Sequence, residues 1–266
     1  TNMAQKKVWM TWLPRGEDAP GPDATVSALS QVGLEVAGSH WIDDLEKVAW
    51  LELGGLLLDT DKADIWLIAG READFSETRI RYGLSMVAAM VSDCREAPLP
   101  GMCVGLDFEP DAASLPTLMS QFLCLNGTQA AWPARVVAAA FGKTGDTADP
   151  ELRFNVIAHP MLGQWFEVGP RNSEWNGIMF GVDGAGSITH HAVGPRGQLP
   201  EKAVLEYPTQ GIKANLGETE FTAWAVQNVL GPEDSYYAKV EGYPNDVIIG
   251  AEPNSDEAEV FHLKLA

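Results

Sequence analysis

Ala63-Asp64-Ile65-Trp66-Leu67-Ile68-Ala69-Gly70 (ADIWLIAG) decides how the first half of the chain is read. Its middle is an unbroken apolar run. Continuous rather than alternating hydrophobicity marks a strand covered on both faces, as in the interior of a parallel sheet. Working outward, residues 7–13 (KVWMTWL) and 34–37 read as earlier strands, and 102–108 (MCVGLDF) as a later one. Helical patterns lie between them. Asp23 is placed to cap a helix through Val32 that Gly33 stops. Asp43 or Asp44 opens a second, with Leu45, Val48, Ala49, Leu51, Glu52 and Leu53 at helical spacing, broken at Asp59-Thr60-Asp61. Ser76 caps a third, along which Ile80, Leu84, Val87 and Met90 recur until Pro98-Leu99-Pro100-Gly101. Residues 115–125 and 134–141 read as closing helices. Strand–helix alternation with short loops predicts an α/β fold: a flavodoxin-like parallel sheet with helices on both faces, over residues 4–145.

From Phe154 onward the helical period gives way to short β-type runs separated by turn signals. The runs are 154–158, 164–168, 178–182, 187–193, 203–207, 221–229, 236–240, 247–249 and 260–265, with Asp183-Gly184-Ala185-Gly186 as a hairpin turn. This predicts a mostly antiparallel β domain, sandwich or barrel, over residues 150–266. The alternative is a long β extension packed on a single α/β domain. Trp165, Phe166, Trp175, Phe180, Trp224, Tyr236, Tyr237 and Tyr243 read most simply as core and cross-strand pairs. The polar stretch 169–177 around Trp175 is the expected recognition loop of this half.

Composition excludes some classes. The chain has 266 residues, 45% of them hydrophobic, which is ample for a core. Eighteen Lys+Arg against 37 Asp+Glu give 18 − 37 = −19, so no nucleic-acid partner and no anionic membrane surface is expected. No window approaches the ~20 consecutive apolar residues of a membrane helix. Thr1 to Lys7 is polar, with no signal-type stretch behind it. Cys94, Cys103 and Cys124 are odd in number and lack C-x-x-C spacing; Cys103 and Cys124, each in an apolar run, are expected to be buried, and a cytoplasmic home is expected. No cofactor or metal is expected either. Gly142-Lys143-Thr144 lacks the spaced glycine of a phosphate-binding loop, and there is no G-x-G-x-x-G. His190 and His191, adjacent on a strand, face opposite ways, while His40, His159 and His262 are isolated.

Ligands of open parallel sheets sit beyond the carboxyl ends of the strands, where strand order reverses. That rule selects three loops. The first carries Arg15 and Gly16, the second Arg71, Asp74, Ser76 and Glu77, the third Asp107 and Glu109. Carboxylates there would accept from ribose hydroxyls; arginines and helix amides would donate to phosphate. The plainer alternative is that Asp74, Ser76 and Glu77 are helix caps.

The stretch 63–70, then Asp74-Phe75-Ser76-Glu77, then Arg81-Tyr82-Gly83-Leu84-Ser85-Met86, resembles the nucleoside deoxyribosyltransferase-like and TIR-like flavodoxin folds. The resemblance covers roughly the first 110 residues. It implies a catalytic glutamate on the helix after the central strand. By helix position that glutamate falls at Arg81 or Tyr82, and Glu77 stands one turn earlier. Three functions follow as expectations. The first is a ligand-binding or regulatory protein with a nucleoside- or nucleotide-sized crevice. The second is an N-glycoside hydrolase or transferase on a nucleoside or NAD-like substrate, with Glu77 as nucleophile or acid and Asp107 or Glu109 on the ribose. The third is an interaction subunit without a small-molecule site. Whether the protein is an enzyme stays open at this level, and an exposed aromatic patch would argue for a homo-oligomer.

Overall fold

The computed structural model describes residues 5–142, 151–250 and 260–266. Thr1, Lys143 and Thr144 lie outside the described residues. The chain divides into two compact units, 1–45 with 49–147, and 46–48 with 148–266.

The first unit is an α/β sheet of five parallel strands: β1 (Lys7–Trp12), β2 (Glu35–His40), β3 (Ile65–Gly70), β4 (Gly101–Gly105) and β5 (Leu123–Asn126). Their order is β2-β1-β3-β4-β5, the flavodoxin-like arrangement. All six residues of β3 are buried, as its apolar run requires. The helices are α1 (Asp23–Gln31), α2 (Trp50–Leu58), α3 (Glu72–Ser76), α4 (Thr78–Cys94) and α5 (Trp132–Phe141). On one face Val8, Met10, Ile65, Leu67, Met102 and Val104 pack with Leu29 of α1 and with Trp132 and Val136 of α5. Each such fully buried aliphatic side chain stabilises by roughly 1.5–3 kcal/mol relative to an exposed one. On the other face Trp66 donates its indole N–H to Thr11 Oγ1 at 2.9 Å, and its ring meets Phe122 edge-on at 5.6 Å. Here α2 packs on α4 so closely that a Cβ on Gly54 would stand 2.9 Å from Met90 Sδ.

Several expected boundaries move. The run from Asp43 or Asp44 begins as turns, and the helix starts only at Trp50, because Val48 passes through the left-handed region at φ 48°. Ser76 does not cap the long helix. It closes α3, its hydroxyl donating to Glu72 O at 2.8 Å, and Glu77 takes the N-cap position of α4. Asp23 is the first helical residue and Pro22 the cap. Residues 115–125 are not a helix: a 3₁₀ turn at Thr117–Met119 leads into β5. That run is too short for period alone to separate strand from helix.

The second unit holds two antiparallel sheets. One contains β6 (Leu152–His159), β7 (Gly163–Pro170), β9 (Gly186–Pro195) and β12 (Asp234–Gly242), in the order β6-β7-β12-β9. The other contains β8 (Trp175–Asp183), β10 (Thr209–Leu216), β11 (Thr219–Leu230), β13 (Asp246–Gly250) and β14 (Val260–Lys264), in the order β10-β11-β8-β13-β14. Phe166 and Tyr236 of the first sheet meet Phe180 of the second, with ring centroids 5.8 and 6.4 Å apart. The turn at Asp183-Gly184-Ala185-Gly186 is therefore not a hairpin, since it passes from one sheet to the other. Residues 203–207 form no strand: Tyr207 takes φ 46° and Pro208 follows. The edge strand β10 begins just after, in a polar sequence whose apolar alternation is weak.

Candidate functional site

Strand order reverses between β1 and β3, so the candidate site lies where the loops after these strands and after β4 meet. Backbone bonds hold the rim: Leu13 N donates to Ala69 O at 2.9 Å, and Leu106 N to Gly70 O at 2.8 Å. Gly70 has no room for a side chain, because a Cβ there would lie 2.9 Å from Leu13 Cδ1.

Arg71 and Asp74 share the most hydrogen bonds of any pair on this rim. Asp74 Oδ2 accepts from the Arg71 amide at 2.9 Å and from Nε at 3.0 Å, and Oδ1 accepts from Nη2 at 3.1 Å. Two charge-assisted bonds from one guanidinium fix its plane. Burial pulls the Asp74 pKa up, but the Arg71 side-chain and backbone bonds outweigh it and hold the carboxyl below the usual range. The same bonds raise Arg71. Arg71 Nη2 also donates to Arg15 O at 3.5 Å, linking the loops after β1 and β3. The Arg15 guanidinium turns to Asp43, 2.7 Å from its Oδ2. Gly16 is left-handed at φ 100°, with open space where a side chain would be.

The three carboxylates have different surroundings. Asp107 Oδ1 accepts from the Glu72 amide at 2.9 Å, capping α3 from the next loop. Glu77 is exposed and makes no side-chain cap bond. Glu109 is exposed, and with Asp111 it raises the already burial-raised pKa of Cys124. Cys103 is buried and pushed up by that burial, as its apolar run implied, while Cys124 is only half-buried. Of Arg81 and Tyr82, where the resemblance would put a glutamate, Arg81 ties α4 to two neighbouring turns. Its Nη1 donates to Phe75 O at 3.2 Å and its Nη2 to Ser114 O at 2.8 Å, and burial lowers its pKa. Among the described residues no group of three His, Cys, Asp or Glu is arranged to hold a metal ion, and no helix is long and apolar enough to cross a membrane.

Two arrangements escaped the sequence reading. Asp43 serves as the partner of Arg15 and lies 3.7 Å from Arg79 Nε, a pairing between loops that spacing does not reveal. In the second unit Glu167 is wholly buried. It accepts from Ser235 Oγ at 2.8 Å, Gly197 N at 2.6 Å, Asn155 Nδ2 at 3.1 Å and Tyr237 OH at 3.2 Å, with Arg153 at 4.0 Å. Burial and the Glu167 charge push Tyr237 up to about 12. Alternation along 152–159 and 163–170 places Arg153, Asn155 and Glu167 on the face opposite Phe154 and Phe166, and so hints at a second face. The expected recognition loop is shorter than thought: Gly169 and Pro170 belong to β7, and Trp175 begins β8, stacked on Phe261 at 6.2 Å.

Fold and rim together define a flavodoxin-like α/β unit followed by antiparallel sheets. No protein-family model and no curated protein matches the sequence. Among solved structures the chain is similar to the translation elongation factor SelB of Methanococcus maripaludis, in complex with the GTP analogue GppNHp. Identity is 6%, coverage 99% of this chain and 80% of that one, and the TM-score 0.31.

Proposed function

We propose that the protein is a ligand-binding or regulatory protein whose first unit takes a nucleoside- or nucleotide-sized molecule over the carboxyl ends of β1 and β3. One observation carries this reading: at the reversal of strand order, Arg71, whose guanidinium Asp74 holds in place, reaches across to Arg15 O in the loop after β1. A positioned arginine suits a phosphate or a base edge. The state of the acids supports binding over N-glycoside cleavage. A general acid at neutral pH needs burial to raise its pKa, whereas Glu77 is exposed and Asp107 is hydrogen-bonded to a helix amide. The loose likeness to the TIR-like group supports the same crevice without its chemistry. Cysteines outside any disulfide fit a reducing compartment such as the cytoplasm.

Calorimetric titration with a panel of nucleosides and nucleotides tests the reading. Saturable binding that Gly16→Trp abolishes is expected. Product formation from NAD or a nucleoside, lost in Glu77→Gln, would replace this reading with the enzymatic one.

A further inference from the structure

In the first unit β4 and β5 lie side by side, with Cys103 paired in register with Cys124. Residues paired in register point to the same face of a sheet, and neighbouring strands stand about 4.8 Å apart. Disulfides span Cα separations of about 4.4–6.8 Å. The two thiols are therefore within bridging reach, although the chain between them runs through 3₁₀ turns at Ala112–Ser114 and Thr117–Met119.

Both cysteines are free. Cys103 is buried; Cys124 is half-buried, and its thiol donates only weakly, to Phe122 O at 3.8 Å. Cys124 is thus the sulfur that an oxidant reaches first, and Cys103 is the resolving thiol beside it. Burial holds both thiols up in pKa, and Asp111 and Glu109 add to this at Cys124, so the protonated, reduced pair is the resting state. In a reducing compartment a disulfide between such thiols is transient and redox-sensing. Its place gives it a consequence. β5 is the outermost strand, four residues long, and pairs with β4. Short edges with few contacts open first. A bridge from Cys124 to Cys103 closes the loop between them and holds this edge down.

We infer that Cys103 and Cys124 are an oxidisable pair, which a peroxide joins into a disulfide that locks β5 to β4. This inference is independent of the ligand reading. The Cys124 thiolate attacks one peroxide oxygen. The S–O bond forms as the O–O bond breaks, leaving a sulfenic acid and, with the proton the thiol gave up, water. Cys103 then attacks the Cys124 sulfur. The S–S bond forms, the S–O bond breaks, and hydroxide leaves as water with the Cys103 proton. Two thiols and one peroxide give one disulfide and two waters.

The full chain is treated with hydrogen peroxide, digested without reduction and mapped by mass spectrometry. The expected product is a linked pair of peptides carrying Cys103 and Cys124, lighter by two hydrogen atoms than their sum and separated by dithiothreitol. Cys103→Ser should instead leave Cys124 as a sulfenic acid that dimedone traps. The oxidised wild type should unfold roughly 5 °C above the reduced protein. Cys103 and Cys124 staying free while the exposed Cys94 is oxidised would overturn the inference. Links formed only through Cys94, or Cys124 carried to sulfinic acid with Cys103 untouched, would overturn it too. An unfolding temperature that stays or falls would overturn the locking of β5. The wild-type map decides even where Cys103→Ser does not fold, and nucleotide binding has no bearing on it.

Discussion

Gly83 lies so close beneath the indole of Trp41 that a Cβ built on it would stand 2.5 Å from Cζ2 and 2.8 Å from Cη2. A glycine in the first half of α4 is thus the seat on which the loop after β2 rests. Gly83→Ala must push the ring away or shift the helix. Overpacking of this kind costs about 1–3 kcal/mol. Urea denaturation should show that loss, and the Trp41 indole resonance should move in the native protein. An unchanged midpoint would mean that the ring yields freely.

Asp74 links stability to pH. Its folded pKa lies below the ordinary value, so the unfolded chain takes up the proton first on acidification. The contribution of the pair is therefore complete above an unfolded pKa of about 3.9 and is lost as pH falls through the folded value. Asp74→Asn is expected to cost about 1–3 kcal/mol at neutral pH, since it leaves Arg71 without its carboxylate. Denaturation of the two proteins from pH 7 downward should show curves that converge in acid. A constant gap would exclude the ionic contribution.

Glu167 is the centre of the second unit's polar core, and its removal takes a carboxylate away from the buried Arg153. Breaking one side of a buried pair typically costs 3–5 kcal/mol, so Glu167→Ala is expected to lose about that much. Replacing both partners, Arg153→Met with Glu167→Leu, should cost clearly less. The Gly197 amide also loses its acceptor in Glu167→Ala. Limited proteolysis should then cut near Gly197 in the single variant faster than in the wild type.

Glu77 and Asp107 are expected to separate. Glu77→Gln should change stability by no more than about 0.5 kcal/mol, as for an exposed side chain without a partner. Asp107→Ala should cost about 1 kcal/mol through the lost bond to the Glu72 amide. Thermal or urea unfolding of the two variants side by side checks the order, and the reverse ranking would overturn the assignment of Asp107 as the α3 cap.

The legibility of these features in the sequence follows their range. ADIWLIAG betrays β3 because complete burial writes itself into every residue of a strand. The helix periods of α4 and α5 are as plain, since ten residues of α4 are buried among small neighbours. β5 stays hidden because LCLN is four residues long, and β10 because TQGIKANL is mostly exposed. At the rim, reading loops off strand ends brought Arg15, Gly16, Arg71, Asp74 and Asp107 to one neighbourhood. It did not reveal that Asp74 belongs to Arg71 and Asp107 to an amide. Those pairings depend on side-chain direction across 3 and 35 residues, which no periodicity encodes. Asp43, Arg81 and Glu167 were missed for the same reason.

The order of strands also orders assembly. In the parallel sheet β2 adds to one side of β1, β3 to the other, β4 to β3 and β5 to β4, so each newly synthesised strand meets an open edge. In the sheet β10-β11-β8-β13-β14, β10 waits for β11 to join it to β8, while β13 and β14 add in turn on the other side. In the remaining sheet β12 must slot between β7 and β9, both made earlier and far apart in the chain. Until Ser235, Tyr236 and Tyr237 leave the ribosome, β7 and β9 are two halves of a zip without its slider, and a chain cut short before Asp234 can join neither.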